Sequence, residues 1–430
     1  MTEVNREGTG KMVSYPQYCT PVGIASDAIL QAKLPQGVKR WIALDLSKQS
    51  CWICVLDAQG MVLMHESHSL AAAKRSSLLR KFCPGDLVIM EASTGTFALA
   101  RALNARDDVM AVVINTNRTE LNKSKKKTDR EDSLWLARVL LRTPLAELPL
   151  VSIPTDEEMD ERNLVSLYHT LTNEHAMQAN RLHALFHTSG NPQVSKEYAI
   201  GTKDGRRQAI GKYLSNVDLY AAKTIDMIMR VQEERIEQLQ KKLAGICKKH
   251  DAMAMILFSL PGVSTICAAT IIAYANDIMR FHSGKQFAAY CGLVPKVNQS
   301  GQRDAKRKIS KEGQSSLRKV LVEAVYAILR VKANTPFHQK YRALRKRGLP
   351  GRKAAVAVAR KLAQTIYALL RNGELYTLED EQEQESMDAY YARKRIKHIG
   401  LYKNFGEKVK QHMNRLKTLE SITSRELAVT

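Results

Sequence analysis

Four acidic residues in the first third of the chain have the types and positions of a carboxylate metal site. Asp45 stands inside an apolar run, WIALDLSK, and Glu91 directly follows another, LVIME. Asp129 and Asp132 lie three residues apart in KKTDREDS, a spacing that places both carboxylates on one face of a helix. Carboxylates that converge repel each other and require divalent cations, and such oxygen ligands favour Mg²⁺ or Mn²⁺. Two ions of this kind would support phosphoryl transfer.

Each of these acids taken alone is more simply a helix cap or a surface charge, so the prediction depends on the elements that position them. Strand-forming runs cover residues 41–46, 50–57, 61–67, 86–90 and 109–115, and helical patterns cover 70–82, 97–106 and 129–141. This alternation predicts a mostly parallel sheet with helices on its faces. The order βββ-αβ-αβ-α is that of the ribonuclease H-like fold, in which strands one and four are neighbours, so the four acids would converge.

The net charge indicates a polyanionic partner. The 430 residues include 66 Lys and Arg against 43 Asp and Glu, a net charge of +23. Residues 251–376 alone hold 22 Lys and Arg against 6 acids, a concentration that favours nucleic acid. No apolar run reaches the length of a transmembrane helix, and the polar N-terminus lacks a secretory signal. The seven cysteines are therefore expected to be free thiols in a reducing cytoplasm.

An irregular basic segment follows in the second half of the chain. Ser300 precedes Gly301 at its centre, in YCGLVPKVNQSGQRDAKRKISKEGQ. A serine on a turn among cations could attack a phosphodiester if a metal or a base removes its proton, although a Ser-Gly pair is more often only a turn. The candidate phosphate-binding cations of this segment are Lys296, Arg303, Lys306, Arg307, Lys308, Lys311 and Arg318. Lys125, Lys126 and Lys127 either contact phosphates beside Asp129 or belong to a solvated loop.

Two long helices are predicted between these regions. Thr155 to Glu158 has the pattern of a capping box that opens the first helix. Spacings of four and three alternate along both seams, from Leu164 to Leu185 and from Ile225 to Ile246. Such seams suit either a coiled-coil assembly or ordinary amphipathic helices. We therefore predict five regions: a flexible arm (1–39), an α/β domain (40–150), a coiled-coil region (151–250), a helical domain (251–376) and a C-terminal extension (377–430).

Taken together, the motifs resemble the DEDD transposases of the insertion sequence 110 family, including its 1111 subgroup and the related site-specific DNA invertases. The matching segments, in order between residues 41 and 373, are WIALDLSK, LVIMEASTGTF, KKTDREDSLWLA, SLPGVSTICAATIIA, FAAYCGLVPKVNQSG and ISKEGQSSLRKVL. The chain departs from the family pattern at Ser93, an extra residue after Glu91, and at Ser133, which replaces the usual Ala. Neither departure removes a metal ligand.

The resemblance implies a RuvC-like domain, of ribonuclease H-like fold, and a helical transposase domain joined by a coiled coil. It makes Asp45, Glu91, Asp129 and Asp132 a catalytic tetrad for Mg²⁺ or Mn²⁺, and it makes Ser300 the nucleophile. The implied partners are double-stranded target and donor DNA, a structured bridge RNA that pairs with both, and further copies of the chain in a dimer or tetramer. The implied location is the bacterial cytoplasm, at the nucleoid.

The sequence therefore predicts a transposase that excises and inserts its own element by serine attack on DNA. Three alternatives remain open at this point. A site-specific invertase would use the same chemistry on a resident segment, and a metal-dependent junction nuclease would use water and leave Ser300 inert. A non-catalytic nucleic-acid-binding protein is the third, and the intact tetrad argues against it.

Overall fold

The computed structural model describes residues 33–34, 36–71, 77–93, 95–115, 128–194, 200–275, 277–294, 313–331 and 334–378. These residues separate into two compact units, one up to residue 159 and the other from residue 160 onward. Most of the predicted arm (1–39) lies outside the described residues. The predicted extension (377–430) also lies outside them, except for residues 377–378. The division into a coiled-coil region and a transposase domain stays a prediction.

The first unit is built on one mixed sheet. Its strands are β1 (Arg40–Leu46), β2 (Ser50–Leu56), β3 (Val62–Ser69), β4 (Asp86–Glu91), β5 (Val109–Ile114) and β6 (Leu150–Val151). They lie in the order β3-β2-β1-β4-β5-β6. The first three strands are antiparallel, β4 and β5 run parallel to β1, and β6 is antiparallel to β5. The predicted α/β pattern and the pairing of the first and fourth strands are confirmed, and β6 is an unpredicted addition.

Two helices cover the opposite faces of this sheet. Helix α1 (Thr96–Asn104) shares a core with Ile42, Leu44 and other residues of one face. Helix α2 (Asp129–Arg142) shares a second core with Ala43, Ile89 and their neighbours on the other face. Both helices match the predicted spans to within two residues. Of the helix predicted at 70–82, residues 77–79 are helical, and residues 72–76 lie outside the described part of the chain.

A buried ion pair sets the register between β1 and β4. Arg40 is paired with Asp86 across the two strands, and its Nε and Nη2 donate to the two carboxylate oxygens at 2.7 and 2.6 Å. The Asp86 side chain is fully buried and also accepts from the backbone N–H of Cys83 at 2.7 Å. A slip of one residue would turn every side chain of β1 to the other face. This pair therefore fixes which side chain of β1 stands beside which side chain of β4 at the C-terminal ends of the two strands.

We expect Arg40→Leu to lower the free energy of unfolding of this unit by about 3–5 kcal/mol, because it leaves the buried Asp86 carboxylate unpaired. Neutralising the acid in Arg40→Leu/Asp86→Asn should recover part of that loss. Urea unfolding followed by tryptophan fluorescence measures both, since all three tryptophans of the chain precede residue 160. Arg138→Leu, at an exposed cation of α2, is the control and should change the value by less than about 0.5 kcal/mol. A cost below about 1 kcal/mol for Arg40→Leu would contradict this account.

The second unit contains only helices among its described residues. They are α3 (Asp156–Thr188), α4 (Lys203–Tyr213), α5 (Asn216–Lys249), α6 (Asp251–Ser259), α7 (Thr265–Ala275), α8 (Gly284–Tyr290), α9 (Ser315–Ile328), α10 (Pro336–Lys346) and α11 (Gly351–Asn372), with a short 3₁₀ turn at Ile278–Arg280. The predicted capping box opens α3: the N–H of Glu158 donates to Thr155 Oγ1 at 3.1 Å, and the N–H of Thr155 donates to a Glu158 carboxylate oxygen at 3.0 Å. No helix in the described ranges is both long and apolar enough to cross a membrane.

The predicted seam of α5 packs inside the chain's own core. Met229 and Leu243 are fully buried, and Gln232 is nearly so. Beside them, the fully buried guanidinium of Arg206 on α4 pairs with Asp226 at 2.7 Å and with Glu233 at 2.8 Å. A buried charge of this kind requires its partners, so the cluster holds α4 against α5 in one arrangement. The spacing of the α5 seam is therefore explained by packing within one chain.

Candidate active site

Asp45 and Glu91 occupy neighbouring positions at the ends of two parallel strands. The pairing of β1 with β4 runs to Leu44 and Met90, and the two acids come next in each strand. Side chains alternate along a strand, so Asp45 lies on the same face as Ala43. Glu91 likewise lies on the face of Ile89, and Ala43 and Ile89 both pack in the core under α2. Asp45 is half-buried and Glu91 is exposed.

Asp129 and Asp132 stand in the first turn of α2, which lies on that same face. The Thr128 side chain caps the helix by accepting from the N–H of Glu131 at 3.3 Å. The positive end of the helix dipole favours acids in this turn. Asp129 is exposed and Asp132 is half-buried, so both carboxylates are accessible from the end of the sheet.

Two contacts show which way α2 runs across the sheet. At its start, His65 Nε2 on β3 lies 2.9 Å from the carbonyl oxygen of Arg130 and 3.1 Å from Ser133 Oγ. Near its end, Leu141 packs against Gly60 in the turn between β2 and β3. Helix α2 therefore runs antiparallel to β1, and its acidic first turn lies toward the strand ends that carry Asp45 and Glu91.

Sequence reasoning missed His65, which anchors the first turn of α2. Its ring stands edge-on to Trp52 with centroids 5.5 Å apart. Burial lowers the pKa of His65, so the ring is neutral near pH 7 and a protonated Nε2 donates to both acceptors. Ser133 is fully buried, and its hydroxyl also donates to the Arg130 carbonyl at 2.8 Å. An alanine at position 133 could not make this contact, so the departure at Ser133 has a structural role.

The donor set fits a hard divalent cation in kind, since all four predicted ligands are carboxylates. The fold brings them to one face at one end of the sheet. Within the described ranges, however, no three His, Cys, Asp or Glu side chains are close enough to hold a metal ion. The segment leading into α2, residues 116–127, lies outside these ranges, and with it Lys125, Lys126 and Lys127.

Two cysteines next to the site are structural. Cys51 and Cys54 on β2 are both buried and belong to different core layers, on opposite faces of the sheet. Burial, with a smaller effect of the Asp45 charge, raises the pKa of Cys51 to about 11. Burial likewise raises the pKa of Cys54 to about 11. The two thiols therefore do not form a metal-binding pair.

The predicted nucleophile lies outside the described residues, together with most of the predicted cations. These are Ser300, Lys296, Arg303, Lys306, Arg307, Lys308 and Lys311. The flanks of their segment are described and meet each other. A Cβ on Gly313 would clash with the backbone nitrogen of Gly292, and the N–H of Gln314 donates to the Tyr290 carbonyl at 2.9 Å. The described residues on either side of this segment therefore lie next to each other.

Arg318 is the one predicted cation of this region that the structure describes. It lies on α9, and its Nη1 sits against Gly292 at the base of the segment. That nitrogen is buried and has no hydrogen-bond partner among the described atoms. The Arg318 side chain is therefore half-buried next to Gly292.

Comparisons with known proteins match both halves of the chain. Residues 42–189 match a DEDD-type IS110 transposase model, described as "Transposase". Residues 254–342 match the model described as "Transposase IS116/IS110/IS902 family". The two matches together take in more than half of the sequence.

Curated relatives extend the similarity over most of the chain. A Sinorhizobium fredii protein named as a transposase is 28% identical, over 77% of this chain and 92% of its own length. The transposase of insertion sequence element IS1111A from Coxiella burnetii is 24% identical, over 78% of this chain and 90% of its own. The pilin gene-inverting protein of Moraxella lacunata is 26% identical, over 36% of this chain and 49% of its own. The chain therefore belongs to the IS110/IS1111 family of transposases.

Proposed function

We propose that this transposase excises and inserts its own mobile element by metal-assisted attack of Ser300 on DNA. The observation that carries the proposal is the convergence of two strand ends and one helix start. Asp45, Glu91 and the acidic first turn of α2 lie on one face at one end of the sheet. The strand order β3-β2-β1-β4-β5 also supports our inference that the unit is ribonuclease H-like, of the RuvC-like kind.

Asp45, Glu91, Asp129 and Asp132 would hold Mg²⁺ or Mn²⁺. When bound, the metal would polarise the scissile phosphate and lower the pKa of the attacking hydroxyl. The residues of this chain do the positioning: the Arg40–Asp86 pair aligns Asp45 with Glu91, and His65 with Ser133 holds the start of α2.

Ser300 would supply the nucleophile from the second unit. Its Oγ forms a bond to phosphorus while the bond to one deoxyribose oxygen breaks, and that oxygen leaves as a hydroxyl. The phosphoserine link conserves the number of phosphoester bonds, so rejoining requires no high-energy cofactor. Lys125–Lys127 and the cations from Lys296 to Arg318 would contact the phosphates around the break.

We further propose that the active form is an oligomer joined through α5. The predicted seam of this helix is used inside the chain, but a second apolar stripe faces solvent. Val217, Tyr220, Met227 and Val231 are exposed by 56–79% and recur at spacings of three, seven and four. This heptad spacing fits a second copy of α5 in a coiled coil. A dimer or a tetramer would then bring Ser300 of one subunit and the acids of another to one DNA break.

The DNA sites would be chosen by a bound bridge RNA, since a basic surface binds phosphates without reading sequence. We expect the purified protein to join element ends to a target in Mg²⁺, and to lose at least about tenfold in rate after complete digestion of co-purified RNA. Adding back the RNA should restore the rate. Digestion with a nuclease inactivated beforehand is the matched control. Recombination at full rate after complete digestion would contradict the guided part of the proposal, and absence of any DNA breakage would contradict the whole.

A second candidate is inversion of a resident DNA segment. It is favoured by the similarity to the pilin gene-inverting protein of Moraxella lacunata. The chemistry at the site would be the same, so the two candidates differ only in the DNA substrate. A plasmid with two inverted sites distinguishes them, because an invertase flips the intervening segment and a transposase releases or inserts the element.

A further inference from the structure

Helices α10 and α11 form a surface whose charge has one sign. Residues 336–372, here named the basic hairpin, contain ten Lys and Arg and no Asp or Glu. The IS110 family match ends at residue 342, so most of this element lies beyond it. The ten cations are Lys340, Arg342, Arg345, Lys346, Arg347, Arg352, Lys353, Arg360, Lys361 and Arg371.

The turn of the basic hairpin has a defined geometry. Gly348 has a φ of 82°, which favours glycine, and its N–H donates to the Arg345 carbonyl at 2.9 Å. The next N–H, of Leu349, donates to the Leu344 carbonyl at 3.1 Å, which completes a Schellman motif. Pro350 then precedes the first residue of α11. The cations on both sides of this turn therefore occupy set positions rather than a loose loop.

Packing directs the cations outward. The inner face of α11, including Ala355, Leu362 and Ile366, is fully buried in the core of the second unit, and Phe337 anchors α10 beside it. Arg360 is half-buried, and every other cation from residue 340 to residue 361 is exposed. The exposed ones are Lys340, Arg342, Arg345, Lys346, Arg347, Arg352, Lys353 and Lys361.

The charge of this surface is not compensated by acidic side chains of the described residues. No cation from Lys340 to Lys361 has an acidic partner among the described residues, and Arg345 Nη1 and Arg342 Nη1 donate only to neutral oxygens, at 2.7 and 3.2 Å. Arg352 and Lys353 lie in the first turn of α11, where the helix dipole disfavours cations. Ion pairing among the described residues does not explain this arrangement, whereas a polyanionic partner does.

A groove between the two helices brings three of these cations together. Its volume is about 380 Å³, within the range of ligand sites. Leu344 and Ala357 contribute apolar surface, and the polar lining residues are Lys340, Arg360, Lys361 and Gln364. Three cations and an amide donor suit phosphate oxygens.

The surface lacks the features that recognise single-stranded nucleic acid. Unpaired bases of RNA loops are held by stacking on exposed aromatic rings. In the basic hairpin Phe337 and Tyr367 are buried, and Tyr341 is half-buried against the core. A rigid row of cations without exposed rings matches the regular phosphate backbone of a duplex.

We propose that the basic hairpin binds the phosphate backbone of duplex DNA, without reading its sequence. The inference rests on the proposed function only in that DNA is the substrate. It does not depend on the metal, on Ser300 or on the guide RNA. The hairpin would hold the DNA duplex flanking the break, while other parts of the protein bind RNA.

The test measures binding by the full chain, in EDTA and across a range of salt, of a duplex DNA of about 30 base pairs and of a single-stranded RNA of about 30 nucleotides. Lys340→Gln/Arg360→Gln/Lys361→Gln should weaken DNA binding roughly tenfold or more, and should reduce the slope of log K against log salt by about 2–3, since each phosphate contact contributes about 0.9. RNA binding should change less than about twofold. A second variant, Arg347→Gln/Arg352→Gln/Lys353→Gln, changes exposed positions only. It should also weaken DNA binding and reduce the salt slope, and such a result would exclude misfolding as the cause of the first variant's loss.

Lys203→Gln/Lys242→Gln/Lys248→Gln, on α4 and the end of α5 away from its exposed apolar stripe, is the matched control, because it removes three exposed cations at the same cost in net charge. In this control, the slope of log K for DNA binding against log salt should stay within about 0.5 of the wild-type slope. An equal loss in the control would overturn the proposal, since binding would then follow net charge. Losses for RNA that equal or exceed those for DNA would overturn the choice of DNA. If the wild-type chain does not bind duplex DNA at all, the proposed function itself fails.

Discussion

Asp45→Asn is expected to reduce DNA strand cleavage by about 10³-fold or more while leaving DNA affinity within about twofold of wild type. The substitution keeps the shape of the side chain but removes a charged ligand, and a metal site supplies several kcal/mol of transition-state stabilisation. DNA affinity is retained because it resides mainly in Lys and Arg. Single-turnover cleavage in Mg²⁺ and filter binding in EDTA measure the two quantities separately.

Asp107→Asn is the matched control. This exposed acid precedes β5. It lies at the opposite end of the sheet from Asp45, the end at which Arg40 pairs with Asp86. The same chemical change there should leave cleavage within about twofold. Cleavage by Asp45→Asn above a tenth of the wild-type rate would sink the assignment of the tetrad.

Ser300→Ala is expected to eliminate every covalent protein–DNA adduct, with metal binding and oligomeric state unchanged. The methyl group has no oxygen to bond to phosphorus, so neither breakage nor rejoining can proceed through the protein. Denaturing electrophoresis of labelled DNA after quenching detects the adduct. Ser300→Cys should retain slight activity, since a thiolate is a competent nucleophile but differs in size and metal preference.

The same experiment separates the proposed mechanism from hydrolysis. Persistence of the adduct in Ser300→Ala would show that another residue attacks. Cleavage by the wild-type chain without any adduct would favour a junction nuclease that uses water. Ser310→Ala, at another serine of the same basic segment, serves as the control and should leave the adduct at wild-type levels.

Mixing the two inactive variants adds a test of assembly. If Ser300→Ala and Asp45→Asn subunits recover part of the activity together, then each active site takes its serine and its acids from different chains. Absence of recovery would favour sites built within one chain. The exposed stripe on α5 leads us to expect recovery.

Local patterns were sufficient to predict the elements that carry the acids. Helix α2 begins at Asp129 as predicted, because Thr128 is a strong cap and acids follow it in the first turn. The strands β1 to β5 match their predicted spans to within a few residues, since apolar runs bounded by turn residues depend only on neighbours in the sequence. The predicted ligands of the site could be identified in the same way, because a residue's type is a property of the sequence alone.

Contacts between distant residues were not readable in this way. Nothing local to His65 indicates that it reaches Ser133, and the two-residue strand β6 exists only because β5 offers it an edge. The sequence also predicted that four carboxylates would converge. The fold brings them to one face at one end of the sheet, although no three His, Cys, Asp or Glu side chains of the described residues form a group that could hold a metal ion.

The long helices show most clearly where the sequence alone stops. A heptad seam has the same spacing whether its partner belongs to the same chain or to another copy. The sequence by itself therefore determined the residue types at the candidate site, the identity of its elements and the amphipathic character of α5. Only the tertiary structure decided that Met229 and Leu243 face the chain's own core and that Val217 and Tyr220 face outward. The physical reason is that residue type and periodicity are local properties, whereas the choice of partner depends on the packing energy of the whole fold.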